Sequence, residues 1–282
     1  MDQDFLNTFI DNAFKEDIGD GDHTSLSCIP ALQQGKARLL VKQAGILAGV
    51  EVAEHIFRRF DVSLQMNVLL EDGTEVVPGD IAFTVEGKVI SILQCERFVL
   101  NLMQHMSGIA TQTHQYVGKL AGTTAKLLDT RKTTPGMRLL DKEAVRIGGG
   151  VNHRTGLFDM ILIKDNHIDF AGGIENAIDR VHEYLQKHGK TLKIEIEARS
   201  LSDIERILRH NRIDRIMLDN FDTETTAKAV KLIGGRYETE SSGNITAANI
   251  RDYALCGVDY ISSGALTHQV KSLDMSLKAV NE

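Results

Sequence analysis

Seven lysines and arginines and two histidines fall between Leu128 and His167: Arg131, Lys132, Arg138, Lys142, Arg146, Arg154 and Lys164, with His153 and His167. From Arg131 to Lys164 only three acids, Asp141, Glu143 and Asp159, oppose the seven cations, so this stretch carries +4. The whole chain carries −7, which leaves −11 for everything else. A cationic pocket in an anionic body suits a small, highly charged anion, whereas a nucleic-acid surface would make a whole domain basic. Lys142 and Arg146, four apart beside Glu143, read as a solvated helix face. Arg131, Lys132, Arg154 and Lys164 do not, because each falls where a strand or a glycine-rich turn ends.

The elements that would position them follow from hydrophobic period. After Leu120, apolar strand-like runs at Ala125–Leu128, Met160–Ile163, Leu192–Ile196, Arg215–Leu218, Arg236–Thr239 and Asp259–Ile261 alternate with helical segments. The helices fall near Asp141–Ile147, Ile174–His188, Leu201–His210, Thr223–Ile233 and Ala247–Leu255. Repeated β-then-α means parallel strands with crossover helices, and six or seven units make an incomplete α/β barrel. Each strand runs into polar residues: Asp129-Thr130-Arg131-Lys132, Lys164-Asp-Asn-His167, Glu197, Asp219-Asn220, Ser241 to Asn244, and Ser262 to Gly264. One such residue is usually a helix cap, but six in succession converge on one barrel mouth, where catalytic groups gather. Ser242-Gly243-Asn244 and Ser263-Gly264-Ala265 follow the last two strands, the first before a helix expected near Thr246, and their backbone N–H groups suit a phosphate. Gly148-Gly-Gly150 is a further candidate for close backbone approach. Neither GxGxxG nor GxxxxGK[ST] spacing occurs, which disfavours a dinucleotide fold or a Walker-type ATPase. Glu197 and Asp219, on neighbouring strands, suit ribose hydroxyls or an indirectly held Mg²⁺.

Upstream, Phe5, Leu6, Phe9, Ile10, Ala13 and Phe14 have helical spacing, and Gly35–Gly87 reads as short strands around a helix near Val50–Phe60, an α+β domain. A long helix, about Ile90 to Leu120, links it to the rest; Ile92, Cys95, Val99, Met103 and Met106 form its apolar stripe, with Arg97 beside it. The tail LDMSLKAV alternates like a strand that returns to the first domain's sheet. The expected boundaries are 1–108 for the N-terminal domain with its linking helix, 109–271 for the barrel, and about 272–282 for the returning strand. With 282 residues, 42% of them hydrophobic and 25% charged, the chain can bury a sizeable core. No apolar run approaches the ~20 residues of a membrane span. The start, MDQDFLNTF, is acidic where a signal peptide would be basic, and Cys28, Cys95 and Cys256 form no CxxC pair. Those features point to buried thiols in a reducing cytoplasm.

The strings CERFVLNLMQHMSGIAT, LLDTRKTTPGMR, AVRIGGGVNHRTGLFDMILIKDNHI, IEIEARSL, IMLDN, ESSGN and GVDYISSGALTH resemble quinolinate phosphoribosyltransferase, and the likeness runs in order over nearly the whole chain. It implies an N-terminal α/β sandwich and an open, seven-stranded α/β barrel. It also implies transfer of a phosphoribosyl group from 5-phosphoribosyl 1-pyrophosphate to quinolinate with decarboxylation, Mg²⁺ as cofactor, and NAD biosynthesis. By position, the family's quinolinate pocket corresponds to Arg131, Lys132, His153, Arg154 and Lys164, with Thr130 alongside. Arg97 corresponds to an arginine supplied across a homodimer interface, in a dimer or a larger assembly such as a hexamer. Glu197 and Asp219 match carboxylates near ribose and metal, so that Lys132, Lys164, Glu197 and Asp219 are the expected catalytic groups. Ser242, Gly243, Asn244, Ser263, Gly264 and Ala265 match the loops around the 5-phosphate. Asn244 departs from the family, which often has a second glycine there, as does the Arg199 region.

The residues allow other readings. Lys164, ending a barrel strand, could be a Schiff-base lysine of an aldolase. A paralogue for another heterocyclic carboxylate and a phosphate-ligand sensor without turnover are further classes. The sensor leaves Glu197 and Asp219 without a task. A lipoyl- or biotin-carrier reading of GTEVVPGDIAFTVEG lacks a lysine at the hairpin tip.

Overall fold

The computed structural model describes residues 3–280. Helices α1 (Gln3–Ile18) and α2 (His23–Cys28) lead into β1 (Gln34–Val41), β2 (Gly45–Ile46) and α3 (Val50–Phe60). Next come β3 (Gln65–Val68), β4 (Glu75–Val76), β5 (Ile81–Lys88) and the 31-residue α4 (Val89–Lys119). Strand and helix then alternate through β6 (Lys126–Leu128), α5 (Arg138–Ile147), β7 (Ile161–Ile163), α6 (Asp165–Ala171) and α7 (Ile174–Lys187). The pattern continues with β8 (Ile194–Ala198), α8 (Leu201–His210), β9 (Arg215–Asp219), α9 (Thr223–Ile233) and β10 (Glu238–Ser242). Last are α10 (Ile250–Leu255), β11 (Tyr260–Ser262), α11 (Ala265–His268) and β12 (Met275–Ala279). Among the described residues no helix is long and apolar enough to cross a membrane.

The chain forms two compact units. The first holds the described residues up to His114, Thr134–Gly149 and those from Gln269; the second holds Gln115–Thr133 and Gly150–His268. Helix α5, counted among the barrel helices in the sequence reading, is thus part of the first unit. Residues 281–282 of the expected C-terminal strand lie outside the described residues.

The first unit is built on an antiparallel sheet of order β12-β1-β5-β3. Strand β1 alternates Ala37, Leu39 and Val41 into the core, and β12 pairs with it from Ala37↔Ala279 to Val41↔Met275. Helix α3 buries Val50, Val52, Ala53, Ile56 and Phe57, and Phe57 meets Phe83 of β5 edge-on at 5.9 Å between centroids. Each of these fully buried rings contributes roughly 1.5–3 kcal/mol relative to exposure. Because Gly49 at the N-cap has no side chain, Asp72 caps α3 instead, accepting from Val50 N at 2.9 Å and Glu51 N at 3.3 Å. The stripe Ile92, Cys95, Val99, Met103 and Met106 of α4 is buried. Gly148 ends α5 against α4: a Cβ there would overlap Ala110 O and sit 2.7 Å from Thr113 Cβ. That glycine therefore serves helix packing. Two expectations fail here. Lys142, read as solvated, is buried on the α5 face that packs inward, while Arg146 does lie outside, paired with Glu143. Of the three cysteines only Cys95 is buried, since Cys28 closes the short, exposed α2 and Cys256 is half-buried.

The second unit is a parallel sheet of order β6-β11-β10-β9-β8-β7. Six strands stand where seven were expected. The seventh place is a single bridge, Val151 to Leu128, because residues 155–160 turn at once around Asp159, which accepts from Thr155 N and Gly156 N at 2.7 and 2.9 Å. The sheet is strongly curled. His153 follows Val151 at one edge, and Glu195 is on β8, five strand spacings away or about 24 Å in a flat sheet. Their side-chain atoms are 3.0 Å apart, so the sheet wraps into an open barrel. Ile194, Ile196, Ile216 and Leu218 are buried, as are Ile178, Ile204, Ile207, Ala229 and Ile233 of helices α7–α9. The alternate set on the strands, Glu195, Glu197, Arg215 and Glu240, is also buried, giving a charged interior where such barrels usually carry branched apolar residues.

Candidate active site

The C-terminal ends of the parallel strands bring one group of predicted residues together. Lys164 follows β7, and its Nζ donates to Glu197 Oε1 on β8 at 2.9 Å; the second oxygen of Glu197 accepts from Asp165 N at 3.1 Å. Both carboxylate oxygens are thereby committed. Lys164 is itself fixed at the start of α6, its backbone N–H donating to His167 Nδ1 at 2.9 Å. Helix α6 was not anticipated, since its first turn, Asp165-Asn166-His167, is polar throughout.

Asp219 ends β9 next to this pair. Burial pushes its carboxyl above the usual range, and the charge of Glu197 adds to that. Asn220 Nδ2 donates to Asp219 Oδ2 at 2.8 Å, and Asn220 N donates to Ser242 O at 2.8 Å. Asn244 Nδ2 in turn donates to Asn220 Oδ1 at 3.2 Å. The side chain that departs from the family pattern is therefore turned toward the Asp219 side of the loop. Asn220 and Asn244 both have left-handed backbone, at φ 56° and 53°. Gly243 between them has φ 95°, and a Cβ there would overlap Asn220 Oδ1, so glycine is required twice over. The helix expected near Thr246 begins only at Ile250, and Thr246 N donates to Asn249 Oδ1 at 2.8 Å. Any phosphate here would meet loop N–H groups.

The last loop is tied to the first. Ser263 N donates to Leu128 O at 3.1 Å and Ser263 Oγ to Ile245 O at 3.1 Å. Gly264 lies so close to Lys132 that a Cβ would stand 2.7 Å from its Cδ, and Ala265 opens α11, whose Thr267 Oγ1 donates to Lys132 O at 2.8 Å. Thr130 Oγ1 accepts from Lys132 N at 3.0 Å. These bonds hold the exposed Lys132 side chain over the glycine.

Arg131 Nε is buried with no hydrogen-bond partner, an orphan that a ligand carboxylate would satisfy. Arg154 is half-buried, its Nη1 donating to Met160 O at 3.2 Å. Burial pushes its guanidinium below the usual range, and the Arg131 charge nearby reinforces this against the opposing charges of Glu195, Asp159 and Glu197.

The His153 ring, next to Arg154 in the chain, is turned toward carboxylates. The side chain is 6% exposed, with Nε2 at 3.0 Å from Glu195 Oε2 and 3.3 Å from Glu240 Oε2 inside the barrel. Burial alone would push the imidazole down, but the two carboxylates outweigh it and hold it up at about 9. Burial and Glu240 raise Glu195, while Glu240, facing His153, the Ser262 hydroxyl and Arg215, is held low despite its burial. Arg97 is on α4 of the first unit, exposed, apart in the chain from the other site residues.

Sequence reasoning passed over Glu195, Arg215 and Glu240. The alternation Ile194-Glu195-Ile196-Glu197 was the available signal, since it puts Glu195 on the same strand face as Glu197.

The family described as "Quinolinate phosphoribosyl transferase, C-terminal domain" matches residues 109–278, and its N-terminal counterpart matches residues 22–107. A quinolinate phosphoribosyltransferase [decarboxylating] 1 of Nicotiana glauca is 46% identical, covering 98% of this chain and 83% of its own. The chloroplastic nicotinate-nucleotide pyrophosphorylase [carboxylating] of Arabidopsis thaliana is 45% identical over the same shares. Among solved structures, NadC from Streptococcus pyogenes superposes with a TM-score of 0.93 at 38% identity, covering 100% of this chain and 99% of that one. The nicotinate-nucleotide pyrophosphorylase from Francisella tularensis gives 0.93 at 37%, covering 99% and 98%. With both domain families matched in order and relatives this similar along nearly its whole length, the chain belongs to the quinolinate phosphoribosyltransferase family.

Proposed function

We propose that the barrel mouth binds quinolinate beside 5-phosphoribosyl 1-pyrophosphate and joins them, releasing pyrophosphate and carbon dioxide and leaving nicotinate mononucleotide for NAD biosynthesis. The observation that carries this reading is the orphaned, buried Arg131 Nε beside the half-buried Arg154, at the strand ends that also carry the Lys164–Glu197 pair. Two anionic substrates need a cationic cavity, and a planar guanidinium matches a carboxylate with two parallel bonds. Arg131 and Arg154 take the quinolinate carboxylates. The Ser242–Asn244 and Ser263–Ala265 loops take the 5-phosphate through backbone N–H groups. Glu197 and Asp219 face the ribose, where positive charge develops at C1 as pyrophosphate departs, and Lys132 faces the charge leaving.

The ring nitrogen supplies the electron pair for the new bond to C1 as the C1–O bond to pyrophosphate breaks. The resulting pyridinium accepts the electrons of the C2–carboxylate bond, carbon dioxide leaves, and C2 takes up a proton. No covalent cofactor enters this route; a chromophore in purified protein would contradict it.

The donor set fits Mg²⁺. Burial and then the neighbouring Glu197 charge hold the Asp219 carboxyl up, a negative pair that a divalent cation offsets, and Glu197's oxygens are both committed, which favours contact through water or pyrophosphate. When bound there, Mg²⁺ would neutralise charge on the departing pyrophosphate. The functional unit we infer is a cytoplasmic homodimer, or an assembly of dimers, with Arg97 entering the partner's site. Chromatography of a reaction containing quinolinate, 5-phosphoribosyl 1-pyrophosphate and Mg²⁺ tests the chemistry: nicotinate mononucleotide should accumulate, and recovery of both substrates unchanged would contradict it.

A further inference from the structure

We infer that Glu195 and Glu240, buried inside the barrel, are positioning residues that aim Arg154 through His153. The inference rests on the reading of the mouth as the quinolinate pocket. Both glutamates are fully buried, on β8 and β10. Buried carboxylates persist only where partners hold them. Arg215 is one partner, its Nη1 at 3.1 Å from Glu240 and 3.9 Å from Glu195, with its guanidinium 4.0 Å above the Tyr260 ring and bonded on its other side to Glu238. His153 is the other, its Nε2 reaching both carboxylates.

Three such side chains, with ligand atoms within 4.8 Å of one another, could also hold a metal ion. Here Arg215 already brings a positive charge against the same two carboxylates, which disfavours a divalent cation. The imidazole N–H completes the set.

What this clamp holds is the backbone entering Arg154. His153 N donates to the buried Asp129 Oδ1 at 2.8 Å, Arg154 N donates to His153 Nδ1 at 2.7 Å, and Nε2 faces Glu195 and Glu240. The ring is therefore hydrogen-bonded at Nδ1, within ion-pair distance of both carboxylates at Nε2, and anchored at its own backbone N–H. Arg154 N cannot rotate away without breaking one of these bonds, so the direction in which its guanidinium leaves the chain is set from inside the barrel. The bond to Nδ1 requires a bare nitrogen there, so the link to Arg154 belongs to the imidazole whose single proton sits on Nε2, facing Glu195 and Glu240.

The test is a double-mutant cycle on the full-length protein. Glu195→Gln alone should raise KM for quinolinate about tenfold and leave KM for 5-phosphoribosyl 1-pyrophosphate within about twofold. In an Arg154→Ala background the same substitution should change kcat/KM for quinolinate by less than about twofold, because the group it positions is gone. Equal cost in both backgrounds, or equal increases in both KM values, would overturn the inference. Glu240→Gln and His153→Gln report the same coupling from other members of the clamp should Glu195→Gln not fold. Wild-type protein inert toward quinolinate would contradict the functional reading itself; active wild type with additive variants contradicts only the positioning.

Discussion

Gly243 and Asn244 show how a short polar string acquires a role. Gly243 needs its left-handed φ and its missing Cβ to let Asn220 pass, and Asn220 in turn braces Asp219. Gly243→Ala should cost about 1–3 kcal/mol of stability from backbone strain and contact. It should also raise KM for 5-phosphoribosyl 1-pyrophosphate about tenfold, with quinolinate affected less; steady-state kinetics on both substrates would check this. Equal effects on the two would place the loop away from the phosphate. The strand-end cations and carboxylates were legible in the sequence because polar residues closing apolar runs stand out. Glu195, Arg215 and Glu240 were not, because their significance comes from curvature that brings distant strands face to face.

Among the elements, helices with clean periodicity and side-chain caps were readable almost to the residue: α3 at Val50–Phe60, α8 behind Ser200 and α9 behind Asp222. Strand β10 was displaced toward Arg236 because its own residues, Glu238-Thr-Glu-Ser-Ser242, offer no apolar run. The triple glycine was legible as a close approach, but what it approaches is α4. Gly148→Ala should therefore lower stability by roughly 1–3 kcal/mol through overpacking, seen as a fall in melting temperature. An unchanged melting temperature would mean that α5 yields without cost.

Across the whole molecule, the order of both domains was carried by motif resemblance, while the strand count depended on a turn at Asp159 that stops the seventh strand at one residue. Stability toward acid has an identifiable contributor in Asp61. Hydrogen bonds from Ser63 and Ser91, with Lys88 nearby, hold its carboxyl down at about 2. A pKa depressed in the folded state gives stability that is present above the unfolded value near 4 and lost as pH falls through about 2. Asp61→Asn should remove on the order of 2 kcal/mol at neutral pH and flatten the melting-temperature profile across that acidic window. For the assembly, Arg97→Ala and Lys132→Ala proteins should each be nearly inactive and regain activity on mixing, since hybrid dimers contain one intact site. No recovery after demonstrated subunit exchange would contradict a shared site. The most direct measurement is release of carbon dioxide and pyrophosphate from quinolinate, 5-phosphoribosyl 1-pyrophosphate and Mg²⁺, with nicotinate in parallel. Equimolar release with quinolinate and none with nicotinate is the predicted result; pyrophosphate release with nicotinate but not quinolinate would contradict the assignment of the dicarboxylate pocket.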